Sequence, residues 1–255
     1  MMTDVLMVND LTVTAGQATI LDGVTLSIPK GKIVGIVGGS GSGKTTLGLS
    51  ILNLLPSAMK IRRGEVLFGS SDLLTLPQED IRQVRGGKIG MVFQEPLSAF
   101  DPLFTIGSQL EETLAAHTRL NGEDRREKVL QVLTSVEIDD PKRIMASFPH
   151  QLSGGLRQRA MIAQAIICGP KVIIADEATS SLDVTIQAKI IRLLKKLNRE
   201  QGMTIVFISH DLGLVGFMAD DVAVMTQGRI VEYGPASQIM EDPKDNYTKE
   251  LLKAY

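Results

Sequence analysis

Residues 32–46 read KIVGIVGGSGSGKTT, and the fold turns on how this stretch is parsed. Ile33 to Val37 is an apolar run without alternation, the pattern of a strand covered on both faces, as in a parallel sheet. The glycines after it predict a loop, and the residues from Thr45 to about Leu55 predict a helix. The stretch fits G-x-x-x-x-G-K-[ST] through Gly38, Gly43, Lys44 and Thr45, and it stands where that pattern works, between a buried strand and a helix. Glycines let successive backbone N–H groups curl around a phosphate, and the helix N-terminus adds its dipole. Residues Gly38, Gly39, Ser40, Gly41, Ser42, Gly43, Lys44, Thr45 and Thr46 are therefore the candidate nucleotide-binding set. Lys44 is placed for the β- and γ-phosphates, and the Thr45 hydroxyl for Mg²⁺. A glycine turn that binds nothing would explain the glycines but not the lysine, the threonine and the context together. A dinucleotide fingerprint fails, because its third glycine would fall on Lys44.

Outward from this centre, VLMVNDLTVT and ATILDGVTLSI read as strands before the loop, with a PKG turn at Pro29 to Gly31. GEVLFG and KIGMVFQ read as strands after it. Between Pro96 and about Gln151, IGSQLEETLAAH and EDRREKVLQVLTSV combine helical apolar spacing with many charges and predict a helical insertion. Strict alternation follows: LRQRAMIAQAII helix, KVIIADE strand, TIQAKIIRLLKKLNRE helix, TIVFISH strand. In the second of these helices Ile186, Ile190, Leu194 and Leu197 form an apolar stripe. Such alternation implies right-handed crossovers and a parallel sheet. VAVMTQGRIVEYG closes the pattern as a hairpin with Gly228 near its turn.

Three further places carry candidate chemistry. Asp176 and Glu177 end a buried strand, the edge at which ligands of parallel α/β sheets bind. Asp176 suits Mg²⁺, and Glu177, pointing another way, suits the polarisation of an attacking water. Alone they would read as solvated acids capping the next helix. His210 repeats the geometry one strand later and reads either as a structural histidine or as a contact to a γ-phosphate. Ser153, Gly154 and Gly155 precede a helix with a stripe at Leu156, Ala160, Ala163 and Ile167. They make a second anion site in kind, since free N–H groups and the dipole meet there, yet it has no lysine.

Composition sets the outer bounds. A chain of 255 residues with 44% hydrophobic residues can bury a large core. A net charge of −2 gives no global field toward nucleic acid or anionic lipid, and no nucleic-acid partner is expected. Cys168 has no second cysteine to pair with, which fits a reducing compartment, and it reads as core. The opening MMTDVLMVNDLTV lacks a basic region followed by an apolar core, so no signal peptide is expected. The apolar stretch AMIAQAIICGPKVIIADEA is broken by Gly169, Pro170 and Lys171 and is too short to span a bilayer, so a soluble chain is expected. His117 and His150 have no partners at metal-ligand spacing. Phe100, Leu103 and Phe104 read equally as core and as a docking groove.

In order, GGSGSGKTT, VFQEP, LSGGLRQR, IIADEATSSLD and FISHD resemble the ATP-binding subunits of ABC transporters, and the resemblance runs over essentially the whole chain. MVFQEPLSAFDPLFTIGSQ, FPHQLSGGLRQRAMIAQAI, SLDVTIQAKII and NYTKELL are similar to the oligopeptide/dipeptide/nickel importer branch. The resemblance implies an α/β P-loop NTPase core with a mainly parallel sheet, an N-terminal antiparallel β subdomain and a helical insertion. It implies one ATP-binding domain over 1–255, with about 96–158 forming a helical subdomain that carries the signature motif at its end. It makes Gln94 a further Mg²⁺-linked residue beside Thr45 and Asp176. It makes Ser153, Gly154, Gly155 and Gln158 a signature that acts on a partner's nucleotide. Asp183 becomes the D-loop residue, Glu177 the general base and His210 the switch histidine. ATP and Mg²⁺ are the implied cofactors. The implied partners are a second ATP-binding subunit, self or paralogue, closing a nucleotide sandwich, two membrane permeases and, indirectly, a substrate-binding protein. The implied place is the cytoplasmic face of a bacterial inner or plasma membrane.

The sequence departs from the family pattern where many relatives stack adenine on an aromatic, since TVTAGQATILDG offers none near Ala15. It has DEAT with Ala178 where many relatives have DEPT, a change in loop stiffness. Longer oligopeptide-type members carry a cysteine cluster in a C-terminal extension, and with Cys168 alone no such iron–sulfur site is expected. The length resembles the nickel or metallophore importers. A soluble assembly, such as a phosphonate-breakdown system, is the alternative setting for the same ATPase. A nucleotide kinase would explain the phosphate loop but not LSGGLRQR or SLD.

Overall fold

The computed structural model describes residues 4–95, 99–180 and 182–253. Pro96, Leu97 and Ser98 of the VFQEPLSAF stretch and Ser181 of SSLD lie outside them. The chain begins with β1 (Asp4–Ala15), β2 (Ala18–Pro29), β3 (Ile33–Val37), α1 (Lys44–Ile51), β4 (Met59–Phe68), β5 (Ser71–Asp72), α2 (Gln78–Val84) and β6 (Ile89–Val92). The middle is helical: α3 (Ile106–His117), α4 (Gly122–Ser135), α5 (Pro141–Ala146), a 3-10 turn (Pro149–Gln151) and α6 (Gly154–Ile166). Then come β7 (Val172–Asp176), α7 (Val184–Gln201), β8 (Thr204–Ser209), α8 (Leu212–Met218), β9 (Asp221–Thr226), β10 (Arg229–Pro235), α9 (Ala236–Glu241) and α10 (Asn246–Lys253). Contacts divide these into two compact units, one of residues up to Ile81 and from Gln201 on, the other Arg82–Glu200.

The first unit carries an antiparallel sheet in the order β2-β1-β4-β5. Its strands alternate buried and exposed residues, so one face meets a core and the other meets water. β4 is longer than the GEVLFG run suggests. Its first half holds Lys60, Arg62 and Arg63 and pairs with β1 as an exposed ribbon, where no hydrophobic alternation marks it. β3 lies between β8 and β9, parallel to both, and β9 turns back antiparallel into β10. All five residues of β3 and all six of β8 are buried. Each such aliphatic side chain contributes about 1.5–3 kcal/mol relative to exposure.

α1 ends at Ile51, short of the expected 55, because Asn53 turns left-handed at φ 50°. The Asn53 and Leu54 N–H groups then donate to the Ser50 and Leu49 carbonyls, a Schellman-type stop.

In the second unit β6 and β7 pair in parallel, and β7 is buried at all five positions. α3, α4 and α5 start with side-chain caps from Thr105, Asn121 and Asp140. α7 buries Ile190, Ile191, Leu193, Leu194 and Leu197, while Ile186 is only half-buried, so its apolar face is wider than the expected stripe. Among the described residues no helix is long and apolar enough to cross a membrane.

Candidate nucleotide-binding site

The phosphate loop emerges from the buried end of β3 and runs into α1. Gly41 and Gly43 take φ values of 76° and 101°, which L side chains rarely adopt. Gly38 is required for a different reason. A Cβ there would lie 2.1 Å from the Met225 carbonyl oxygen, so the loop passes too close to β9 for any side chain. The Ser42 carbonyl accepts the Gly228 N–H at 3.1 Å, and the Gly228 carbonyl accepts the Asp22 N–H at 2.9 Å, tying the loop to the β9–β10 turn and to β2.

Lys44 is 7% exposed, and its Nζ donates to the Gly38 and Gly39 carbonyls at 2.8 and 2.9 Å. A buried ammonium that donates to neutral carbonyls suits an anion, because a phosphate oxygen is a better acceptor than either. Ser40 and Thr45 are exposed, while Ser42 and Thr46 are buried.

His210 stands at the same edge. β3 and β8 are parallel with Val37 opposite Ser209, so Gly38 and His210 each follow directly from paired residues on adjacent strands. His210 is exposed there. The next residue, Asp211, caps α8 by accepting the Leu214 N–H at 2.8 Å.

The second unit repeats the arrangement. Val92 of β6 pairs with Ala175 of β7, so Gln94 and the Asp176–Glu177 pair leave one sheet edge together. Asp176 is 3% exposed, and Glu177 is half-buried with φ of 49°. That left-handed backbone turns the chain off the strand directly after Asp176. The Ser180 N–H then donates to the Glu177 carbonyl at 3.1 Å.

Ser153 is the N-cap of α6, its Oγ accepting the Leu156 N–H, and Gly154 and Gly155 form the first turn. The helix thus starts two residues before the expected Leu156. Gln158 is buried, and its Nε2 has no hydrogen-bond partner among the described residues. A Cβ on Gly155 would come 3.1 Å from Ile186, so the serine–glycine turn lies against the start of α7. There Asp183 caps α7, accepting the Ile186 N–H at 2.9 Å.

Some supports escaped the sequence. Arg157 donates to the Pro149 and Leu152 carbonyls at 3.1 and 2.8 Å and clamps the turn before α6. Arg159 reaches the Val136 carbonyl at 2.6 Å and Glu137 at 3.1 Å. Met225, Gly228 and Tyr247 touch the phosphate loop from far along the chain. Only the glycine in the TQGR turn hinted at any of these.

The apolar cluster near Gln94 divides. Phe100 is buried at 4%, whereas Leu103 and Phe104 are 79% and 56% exposed. Buried Gln109 holds their loop by accepting the Asp101 N–H and donating to the Asp101 and Phe104 carbonyls. His150 stacks on Phe148 at 5.7 Å. His117 is half-buried, and burial, then Arg82, holds its pKa below the usual histidine range.

Residues 21–180 match the family model described as ABC transporter. The chain belongs to this family. The ABC chain is 45% identical over 98% of its length to a peptidoglycan transport ATP-binding protein of Agrobacterium fabrum, of which it spans 46%. It is 43% identical over 93% of its length to a dipeptide transport ATP-binding protein of Bacillus subtilis, of which it spans 71%. The ABC chain thus covers about half of the first relative and about seven-tenths of the second. Among solved structures, it superposes with a TM-score of 0.80 on the ATP-binding cassette MJ0796 in a dimeric post-hydrolysis state bound to ADP and Pi. That match has 33% identity and covers 91% of this chain and 98% of that one. The expected α/β P-loop architecture with its antiparallel N-terminal sheet is the fold of this ABC chain.

Proposed function

We propose that this chain is the ATP-hydrolysing subunit of an ABC importer whose solute is a peptide. The observation that carries the proposal is the phosphate loop, pre-shaped by Gly38, Gly41 and Gly43, with the Lys44 ammonium buried inside it. The transport names of the relatives favour a peptide over nickel or a metallophore.

In this proposal the loop residues from Gly38 to Thr46 receive the β- and γ-phosphates. Glu177 accepts a proton from water as the water oxygen bonds to the γ-phosphorus and the bond to the bridging oxygen breaks, leaving ADP and phosphate. Lys44 and His210 donate hydrogen bonds to the charge that spreads over the γ-oxygens. Thr45, Gln94 and Asp176 would hold Mg²⁺, whose charge would offset that of the phosphates. Hydroxyl, amide and carboxylate oxygens suit this ion. Among the described residues no three His, Cys, Asp or Glu side chains could hold a metal by themselves, which fits an ion that arrives with the phosphates.

Ser153, Gly154, Gly155 and Gln158 would close on a nucleotide held by a second ATP-binding subunit, with Asp183 between the two sites. ATP that binds the closed pair more tightly than the open pair would drive two permeases. Exposed Leu103 and Phe104 would face a permease at the cytoplasmic side of a bacterial inner or plasma membrane, with a binding protein delivering the solute beyond it.

Glu177→Gln tests the chemistry. The variant is expected to bind ATP as the parent does and to hydrolyse it at least about 100-fold more slowly. Hydrolysis at the parental rate overturns the assignment of the base. Co-purification with membrane permeases in detergent supports the importer, and co-purification with a soluble enzyme complex overturns it.

A further inference from the structure

The phosphate loop has a partner that its own motif does not supply. The Gly39 N–H donates to the Tyr247 hydroxyl oxygen at 3.0 Å, a contact between residues 208 apart in sequence. Tyr247 lies in the first turn of α10 and is half-buried. Its seat is built from the sheet outward. Glu232 of β10 accepts the Lys244 N–H at 2.7 Å and the Asp245 N–H at 3.2 Å, one on each carboxylate oxygen. Asp245 Oδ1 in turn accepts the Tyr247 N–H at 2.8 Å. A hydrogen-bonded strap thus runs from the hairpin strand to the loop.

The other side of the contact is matched to it. Gly39 is not among the glycines with positive φ, so its backbone does not require glycine. A Cβ built there would meet one atom within 4 Å, the Tyr247 hydroxyl oxygen, at 3.2 Å. A side chain at 39 would therefore push the hydroxyl back by a few tenths of an ångström. Lys44 meanwhile donates to the Gly38 carbonyl at 2.8 Å, the other end of the same peptide, so this peptide is held from both sides.

We infer that Tyr247 is a positioning residue for the phosphate loop, holding Gly39 in the shape that receives a nucleotide. This rests on the loop being the nucleotide site. Adjacent glycines have wide conformational freedom, and ordering them before binding removes that cost from the binding step. Tyr247 acts through Gly39 and need not touch the nucleotide.

Tyr247→Phe keeps the ring and removes the acceptor. Binding of MgATP, measured with a fluorescent analogue well below the unfolding temperature, is expected to weaken about 3- to 10-fold. Amide exchange at Gly39 should quicken, while exchange within α1 stays at the parental rate. Gly39→Ala should also weaken binding in the parent but add little to the loss in Tyr247→Phe, because the two share one contact. Unchanged affinity in Tyr247→Phe, with an equal effect of Gly39→Ala in both backgrounds, overturns the inference and leaves the nucleotide site intact. A parent that binds no nucleotide overturns the proposed function itself.

Discussion

Glu177 shows how much one residue's backbone can decide. Its φ of 49° is a left-handed conformation that a glutamate rarely takes, and it turns the chain off β7 directly after buried Asp176. The DE pair was legible in the sequence, with Glu177 expected to point another way, but the left-handed turn at Glu177 was not. Cys168 corrects a simpler expectation. It was read as core but is half-buried, with its Sγ 3.9 Å from the Thr113 carbonyl oxygen. Burial pushes the thiol up to about 11, against the smaller pull of Lys128. The nucleophile is the thiolate, so reaction with a disulfide reagent should be slow at neutral pH and should quicken steadily as the pH climbs toward about 11. Rapid, pH-independent labelling at neutral pH would contradict this placement of the side chain.

At the scale of elements, long periodic segments matched well and short ones did not register. α3 covers the IGSQLEETLAAH run from end to end, because twelve residues give the 3.6-residue period room to repeat. α2, α5, α8 and α9 are six or seven residues long, too short for a period to stand out, and tertiary packing holds them. α10 depends on its anchor. Burial pushes the Glu232 carboxyl up, but the Lys244 and Asp245 N–H groups and the Lys249 charge together hold it below the usual carboxylate range. A carboxyl depressed in the folded state stabilises above its unfolded pKa, about 4.3, and that stability is lost as pH falls through the lower folded value. Glu232→Gln should therefore lower the melting temperature at pH 7, and the difference should shrink steadily below about pH 4. A constant difference across that range would show that the carboxylate does not hold the strap.

At the scale of the whole molecule, the serine–glycine turn at Ser153 is complete as a helix start yet has no lysine of its own. If it serves a second subunit's nucleotide, ATPase activity per mole should rise with protein concentration. Gly154→Asp has room for its side chain, since a Cβ there would meet only Leu182 at 3.8 Å. The variant should bind ATP like the parent and lose nearly all hydrolysis by placing a negative charge opposite the partner's γ-phosphate. Activity independent of concentration would overturn the trans assignment. The sequence alone marked the loop, the acidic strand end and the glycine turn as candidate sites, because each is a local backbone device made of adjacent residues. Only the tertiary structure decided what surrounds them. The Met225 carbonyl that makes Gly38 obligatory, the Gly228 amide and the Tyr247 hydroxyl come from nearly two hundred residues away or more. Likewise, only the structure buried Phe100 and left Leu103 and Phe104 in solvent. Local periodicity reports which face of an element is apolar, and the choice of partner for that face is made by contacts distant in the chain.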